Sequence, residues 1–165
     1  MGRERRGGRE VKRGLILAAA RKVFEAEGLD GASLRAIAAE AGYTPPALYF
    51  HFDSKEAIYA EVLQASLARL GAAVAEAVAE AGDPAARLRA AALAFFAFYA
   101  GSPRDLDLGF YLFRGGMKPQ GLGRKRDERL NAALEAALRP ISDAARPVAD
   151  DSRGTEPKKE VKPTS

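Results

Sequence analysis

The chain of 165 residues has no cysteine and a single histidine. Without thiols it can form no disulfide, no thiolate zinc site and no cysteine nucleophile, a composition that suits a reducing cytoplasm. His51, the one histidine, has no nucleophile or carboxylate arranged near it in sequence that would make it a catalytic base, so a packing or phosphate-facing role is expected. Long apolar runs are also missing. The longest, Ala90 to Gly101, falls short of the about 20 residues that a bilayer span requires, and no secretory apolar segment follows the basic N-terminus. Neither strand signals nor internal repeats are present. The fragment "GLGRKRD" has no strand before it and no lysine-serine pair after it, so it is no phosphate cradle. Membrane spans, metal centres, cofactors and catalysis are therefore not expected.

What is present favours helix. Apolar residues make up 47% of the chain, much of it alanine, and with leucine, arginine, lysine and glutamate they predict an all-α protein with a buried core. Lysine and arginine number 26 against 22 acidic residues, a net charge of only +4. The distribution says more than the total: Arg3, Arg5, Arg6, Arg9, Lys12 and Arg13 meet only Glu4 and Glu10. Such a cluster is a solvated terminus unless something downstream supplies it with a polyanion.

Along the chain, Ile16, Ala20, Val23 and Phe24 share one face of a first helix, and Gly28 stops it. Ser33 caps a second, Leu34 to Ala41, which Gly42 breaks. Thr44 begins a third, with Pro45 at its first position, where a missing N–H is harmless. Asp53 and Glu56 have capping-box spacing and open a long helix to about Ala81. Asp83-Pro84 starts another through about Ala100. A short aromatic helix is expected over Asp105 to Arg114, a loop over "GGMKPQGLG", and a last helix from Arg124 to about Ala145. From Pro147 onward the composition predicts a disordered tail.

Two helices with small residues between them, joined at a glycine, form a helix-turn-helix pattern over Leu34 to His51. At that point a specific likeness emerges. The stretch "ILAAARKVFEAEGLDGASLRAIAAEAGYTPPALYFHFDSKEAIYAEVL", Ile16 to Leu63, resembles the N-terminal domain of the TetR family of bacterial transcriptional regulators. The likeness rests on Phe24, Gly28, Ser33, Ile37-Ala38, Ala41-Gly42, Thr44, Leu48-Tyr49, His51-Phe52 and Lys55.

That resemblance implies a three-helix DNA-binding domain joined by a long helix to a helical ligand-binding and dimerisation domain. The divisions expected are a basic arm over 1–12, the DNA-binding domain over 13–60, the ligand and dimer domain over 61–146, and the tail over 147–165. Leu48 and Phe52 are expected to face the core and Phe50 the opposite way, since successive helical residues turn by about 100°. By the resemblance, Ser33, Thr44, Tyr49 and Lys55 occupy phosphate-contacting positions, and Pro46, Ala47 and Phe50 face bases. None of these last three can form a bidentate hydrogen bond, so thymine-methyl contact and shape readout should dominate. Arg3, Arg5, Arg6 and Arg9 then form an arm that reaches DNA backbone or minor groove. With prolines at 45 and 46, Thr44 can cap only through a later N–H such as that of Ala47.

Phe95, Phe96, Phe98, Tyr99, Phe110, Tyr111 and Phe113 hold seven of the thirteen phenylalanines and tyrosines. They form either a plain core or the lining of a pocket for an apolar or planar small molecule. The family generally closes this domain with two helices where this chain has one after Gly123, which implies a shortened domain; Leu130, Leu134 and Leu138 are its candidate dimer seam. The resemblance implies a cytoplasmic homodimer on a palindromic double-stranded operator, usually a repressor, released by a small-molecule inducer. The alternative is a helical module that binds a protein partner through its aromatic stretch.

Overall fold

The computed structural model describes residues 2–110 and 121–154, with side chains over 7–109 and 121–149. Every element among the described residues is helical: α1 (Gly2–Gly31), α2 (Leu34–Ala41), α3 (Pro45–Tyr49), α4 (Lys55–Glu80), α5 (Pro84–Gly101), α6 (Pro103–Phe110) and α7 (Arg124–Gly154). The punctuation residues act at the backbone. Gly28 interrupts α1 at φ 70°, ψ 178°, and Gly42 ends α2 at φ 70°, a left-handed conformation that costs a residue with a Cβ. The Ser33 hydroxyl accepts from the amide of Ala36 at 3.1 Å, and the Asp83 carboxylate from that of Ala86 at 2.9 Å.

Several boundaries depart from expectation. The cap of α4 is Ser54, whose hydroxyl accepts from the Ala57 amide; Asp53 is one residue too early to serve. Thr44 makes no side-chain cap bond, and the Ala47 amide instead donates to the Thr44 carbonyl at 3.0 Å. With prolines in the first two positions of α3, only that amide is within range, and the backbone takes it. The basic arm is not extended: α1 begins at Gly2, because adding turns to an anchored helix rich in arginine and glutamate is easier than nucleating a new one. Nor does structure stop at Pro147. Ile141, Ala144 and Val148 keep one face of α7 partly or fully covered at helical spacing, and that face carries the helix across Pro140 and Pro147 to Gly154.

The core centres on α4. Ile58, Tyr59, Val62, Leu63, Leu67, Leu70 and Val74 are buried along it, packed with Ile16, Ala20, Val23 and Phe24 of α1 and Ile37 and Ala38 of α2. By length and composition α4 is apolar enough to cross a membrane, but here its apolar side chains form the interior on which the other helices lie. α7 runs beside it in the same direction: Ala60 and Leu130 border one cavity, Gly71 meets Ala137, and Val78 and Ala144 border a groove further on.

A charge network fixes α6 to the first half of the chain. Asp105, 2% exposed, accepts from Arg21 of α1 at 3.0 Å and from Arg69 of α4 at 2.9 Å. Arg21 also pairs with Glu25, which Arg104 reaches at 3.1 Å. Tyr59 donates its hydroxyl to the carbonyl of Leu108.

The close approach of α4 and α7 at Gly71 predicts a measurable cost. A Cβ on Gly71 would lie 3.1 Å from Cα of Ala137, so Gly71→Val must push α7 away from α4. Chemical denaturation should show a loss of about 1–3 kcal/mol, the usual cost of overpacking a close contact; an unchanged midpoint would mean that the two helices are not pressed together there.

Candidate nucleic-acid interface

α3 is five residues long, too short to persist alone, and it is held by what lies beneath it. Leu48 is fully buried and Phe52 is 3% exposed, both in the main core. The chain turns after Tyr49 through hydrogen bonds from the amides of His51 and Phe52 to the Leu48 carbonyl, at 2.8 and 2.9 Å. This turn leaves Phe50 at 80% exposure and Tyr49 at 59%. A phenylalanine so placed on a rigid turn has no packing role. Pro46 and Thr44 are exposed beside it, and Ala47 is half-buried.

The basic end of α1 lies against this turn. Arg9 donates to the Phe50 carbonyl at 3.4 Å, and Gly8, Arg9, Lys12, Phe50 and His51 line a groove of about 540 Å³. Arg13 does a different job from its neighbours: it donates to the His51 carbonyl at 2.7 Å, pairs with Glu61 of α4, and places its guanidinium 4.2 Å from the centre of the Phe52 ring. It clamps α1 to the link between α3 and α4. The side chains of Arg3, Arg5 and Arg6 lie outside those described, although their backbone is helical.

Of the residues assigned to phosphate, Thr44 and Tyr49 are exposed on the α3 side. Ser33 is exposed, with its oxygen accepting from Ala36, so its hydroxyl proton is left to donate. Lys55 already donates to the carbonyls of Asp30 and Ala32, at 3.3 and 3.1 Å. An ammonium has three N–H donors, so two hold the turn before α2 and one is left for a ligand.

His51 sits where cations converge. Its Nδ1 is buried without a hydrogen-bond partner among the described residues. Burial, followed by the charges of Arg9, Arg13 and Lys12, lowers its pKa below the ordinary 6.5. The ring is therefore neutral at pH 7, as expected of a packing residue.

The aromatic stretch is divided. Phe95, Phe98 and Tyr99 are half-buried and meet in edge-to-face contacts, with ring centres 5.1 Å apart for Phe95–Tyr99 and 5.2 Å for Phe98–Tyr99. Phe96 stands 71% exposed beside an exposed Leu93. Tyr111 and Phe113, and the side chain of Phe110, fall outside the described residues. Sequence reasoning missed the clamp of Arg13 and the arginines that meet Asp105, since these partners lie 36 to 84 positions apart and no local pattern marks them.

Comparison with known proteins agrees with this geometry. Residues 16–62 match the family described as bacterial regulatory proteins, tetR family. The chain is 42% identical over 100 residues to the HTH-type transcriptional activator FasR of Mycolicibacterium smegmatis, covering 59% of this chain and 46% of FasR. It thus spans less than half of that relative. The fold superposes on the TetR-family regulator PfmR of Thermus thermophilus with a TM-score of 0.68 at 24% identity, covering 87% of this chain and 75% of that one. Against FadR of Bacillus subtilis, solved with stearoyl-CoA, the TM-score is 0.62 at 17% identity, covering 90% and 75%.

Two outcomes test the arrangement of this site. Phe52→Ala should cost about 3–5 kcal/mol, as deletion of a buried ring does, while Phe50→Ala should leave stability within about 0.5 kcal/mol; urea denaturation that found the two equal would place Phe50 in the core. For His51, a folded pKa below 6.5 means that the unfolded chain takes up the proton first. Its share of stability is complete above pH 6.5 and is lost as the pH falls below that value. Thermal unfolding of His51→Gln should accordingly show a shallower acid-side decline than the native chain.

Proposed function

We propose that this chain, whose residues 16–62 match the tetR family of bacterial regulatory proteins and which is similar to the transcriptional activator FasR, is a ligand-responsive transcriptional regulator that docks the α3 turn in the DNA major groove. The observation that carries the proposal is the exposed ring of Phe50 on a turn braced by buried Leu48 and Phe52. Pro46, Ala47 and Phe50 meet base edges and thymine methyls. Ser33, Thr44, Tyr49 and the spare donor of Lys55 set register on phosphate. Arg9, with Arg3, Arg5 and Arg6 on the same helical arm, supplies charge to the flanking backbone.

A palindromic operator requires two copies whose recognition turns lie about 34–36 Å apart, one turn of DNA. A small molecule that favours another separation releases the DNA by its differential affinity for the two states. Among the described residues, the aromatic side chains of α5, Phe95, Phe96, Phe98 and Tyr99, are the ones offered to an apolar ligand. Stearoyl-CoA, bound by FadR of Bacillus subtilis, is the first compound to test. Repression follows where the operator overlaps the polymerase site and activation where it lies upstream, so operator position decides the sign. A protein-binding module would not need Phe50, Pro46 and a basic helix on one face.

The test is binding to the intergenic DNA beside the coding sequence across a salt series. Affinity should fall steeply as salt rises. Lys55→Ala should weaken binding to all sequences alike and reduce the salt slope by about 1 unit. A Lys55→Ala protein that changed base preference with an unaltered slope would remove Lys55 from the phosphate set, and salt-independent binding by the native chain would remove the regulator reading.

A further inference from the structure

We propose that the first two turns of α7 belong to the DNA interface: Arg124, Lys125, Arg126 and Arg129 extend the cationic surface from the DNA-binding domain onto the regulatory domain and contact phosphates flanking the half-site. The proposal rests on the reading of the α3 turn as a DNA-binding element.

Position is the first observation. Because α4 and α7 run side by side in the same direction, with Ala60 and Leu130 bordering one cavity, six residues back from each reaches Ser54 and Arg124. Both helices therefore begin at about the same level, some 9 Å before that cavity at 1.5 Å per residue. α4 begins at Lys55, so the first turn of α7 emerges at the end of the molecule that carries the α3 turn.

Continuity is the second. Arg126 and Arg129 line a cavity of about 190 Å³ with Arg13, His51, Phe52 and Asp53, and His51 is also a wall of the groove formed with Gly8, Arg9, Lys12 and Phe50. The cations of α7 thus continue a row that starts on α1 and passes over His51. Asp53 and Glu61 border the same cavity, but Glu61 is occupied by Arg13.

The third observation is a local conflict. Cations in the first turn of a helix oppose its dipole, each at a cost of about 0.3–1 kcal/mol, yet α7 opens Arg124-Lys125-Arg126. The nearby acids are used locally: Asp127 accepts from the Leu122 amide at 2.8 Å, and Glu128 pairs with Arg124 at 3.1 Å. Lys125 and Arg129 are exposed and form no ion pair among the described residues. A segment that contradicts helix electrostatics while exposing its charges is organised around an external polyanion.

The double variant Lys125→Ala/Arg129→Ala tests this on the full chain. Alanine removes repulsion from the helix terminus, so thermal stability should be equal or higher and a folding failure is not at issue. Binding to the intergenic duplex should weaken, with the salt slope reduced by about 2 units, near 0.9 per lost phosphate contact. Arg87→Ala/Arg139→Ala, at the far end of α4 and α7, should leave the slope unchanged. Native binding with an undiminished slope in the Lys125/Arg129 variant overturns the role of α7 alone. Absence of salt-dependent binding by the native chain overturns this proposal together with the regulator reading.

Discussion

Everything the α3 turn can do depends on the burial of Leu48 and Phe52. A five-residue helix is far below the length that sustains itself in water, and prolines in its first two positions take two amide donors from the end where a helix would hold an anion. Burying a leucine and a phenylalanine contributes about 1.5–3 kcal/mol each, and both are sunk in the core shared by α1, α2 and α4. The guanidinium of Arg13 over the Phe52 ring adds a second anchor, joined to the His51 carbonyl and Glu61. The exposed side of the turn is consequently rigid because its hidden side is fixed. Under the proposed docking, in which the surface reads bases mainly by shape and apolar contact, rigidity matters because few directional hydrogen bonds are there to correct a misplacement.

The same logic extends to the connection between the halves. Asp105 is a buried carboxylate whose two oxygens are each taken by an arginine from a different helix. Removing one partner of such a group leaves a charge uncompensated in the interior, which is strongly destabilising. α6 therefore cannot shift by small degrees relative to α1 and α4; it either keeps Arg21 and Arg69 or exchanges them for water. Such an all-or-none contact is the kind of element that a ligand with differential affinity can bias, and Tyr59, which bonds the Leu108 carbonyl, also meets Phe24 of α1 edge to face.

Local signals in the sequence were legible where one residue decides the outcome: Ser33 and Asp83 as caps, Gly28 and Gly42 as breaks, the buried stripe of Ile16, Ala20, Val23 and Phe24, and the opposed directions of Phe50 and Phe52. The helical class and the family followed from the same short range. The failures are informative. Asp53 fits the spacing of a cap, but the chain reaches helical geometry one residue later and Ser54 takes the role. Pro147 suggested the end of order, yet Ala144 and Val148 keep enough cover on either side of it to continue α7. The charge cluster over Arg3 to Arg13 suggested a solvated arm ahead of the first helix, yet contacts of Arg9 and Arg13 with residues 38 to 48 positions away hold it as helix. Tertiary contacts made these decisions, and single-sequence periodicity does not contain them.

Charge and shape are divided among different residues, and that division has a physical consequence. On the proposed docking, the base-facing set Pro46, Ala47 and Phe50 carries no charge, so it discriminates sequences without holding DNA strongly. On the same reading, the cations of α1, Lys55 and the start of α7 hold any duplex without discriminating. Counterion release makes the second contribution steeply salt-dependent, whereas thymine-methyl contact and groove shape depend little on salt. A net charge of +4 is small because acids elsewhere balance it; what counts is that the positive residues collect at one end of two helices that start at the same level. If the start of α7 meets phosphate as proposed, affinity is governed by how many of those cations a given conformation brings against the backbone, and a modest displacement of α7 relative to α4 alters that number without moving the α3 turn at all.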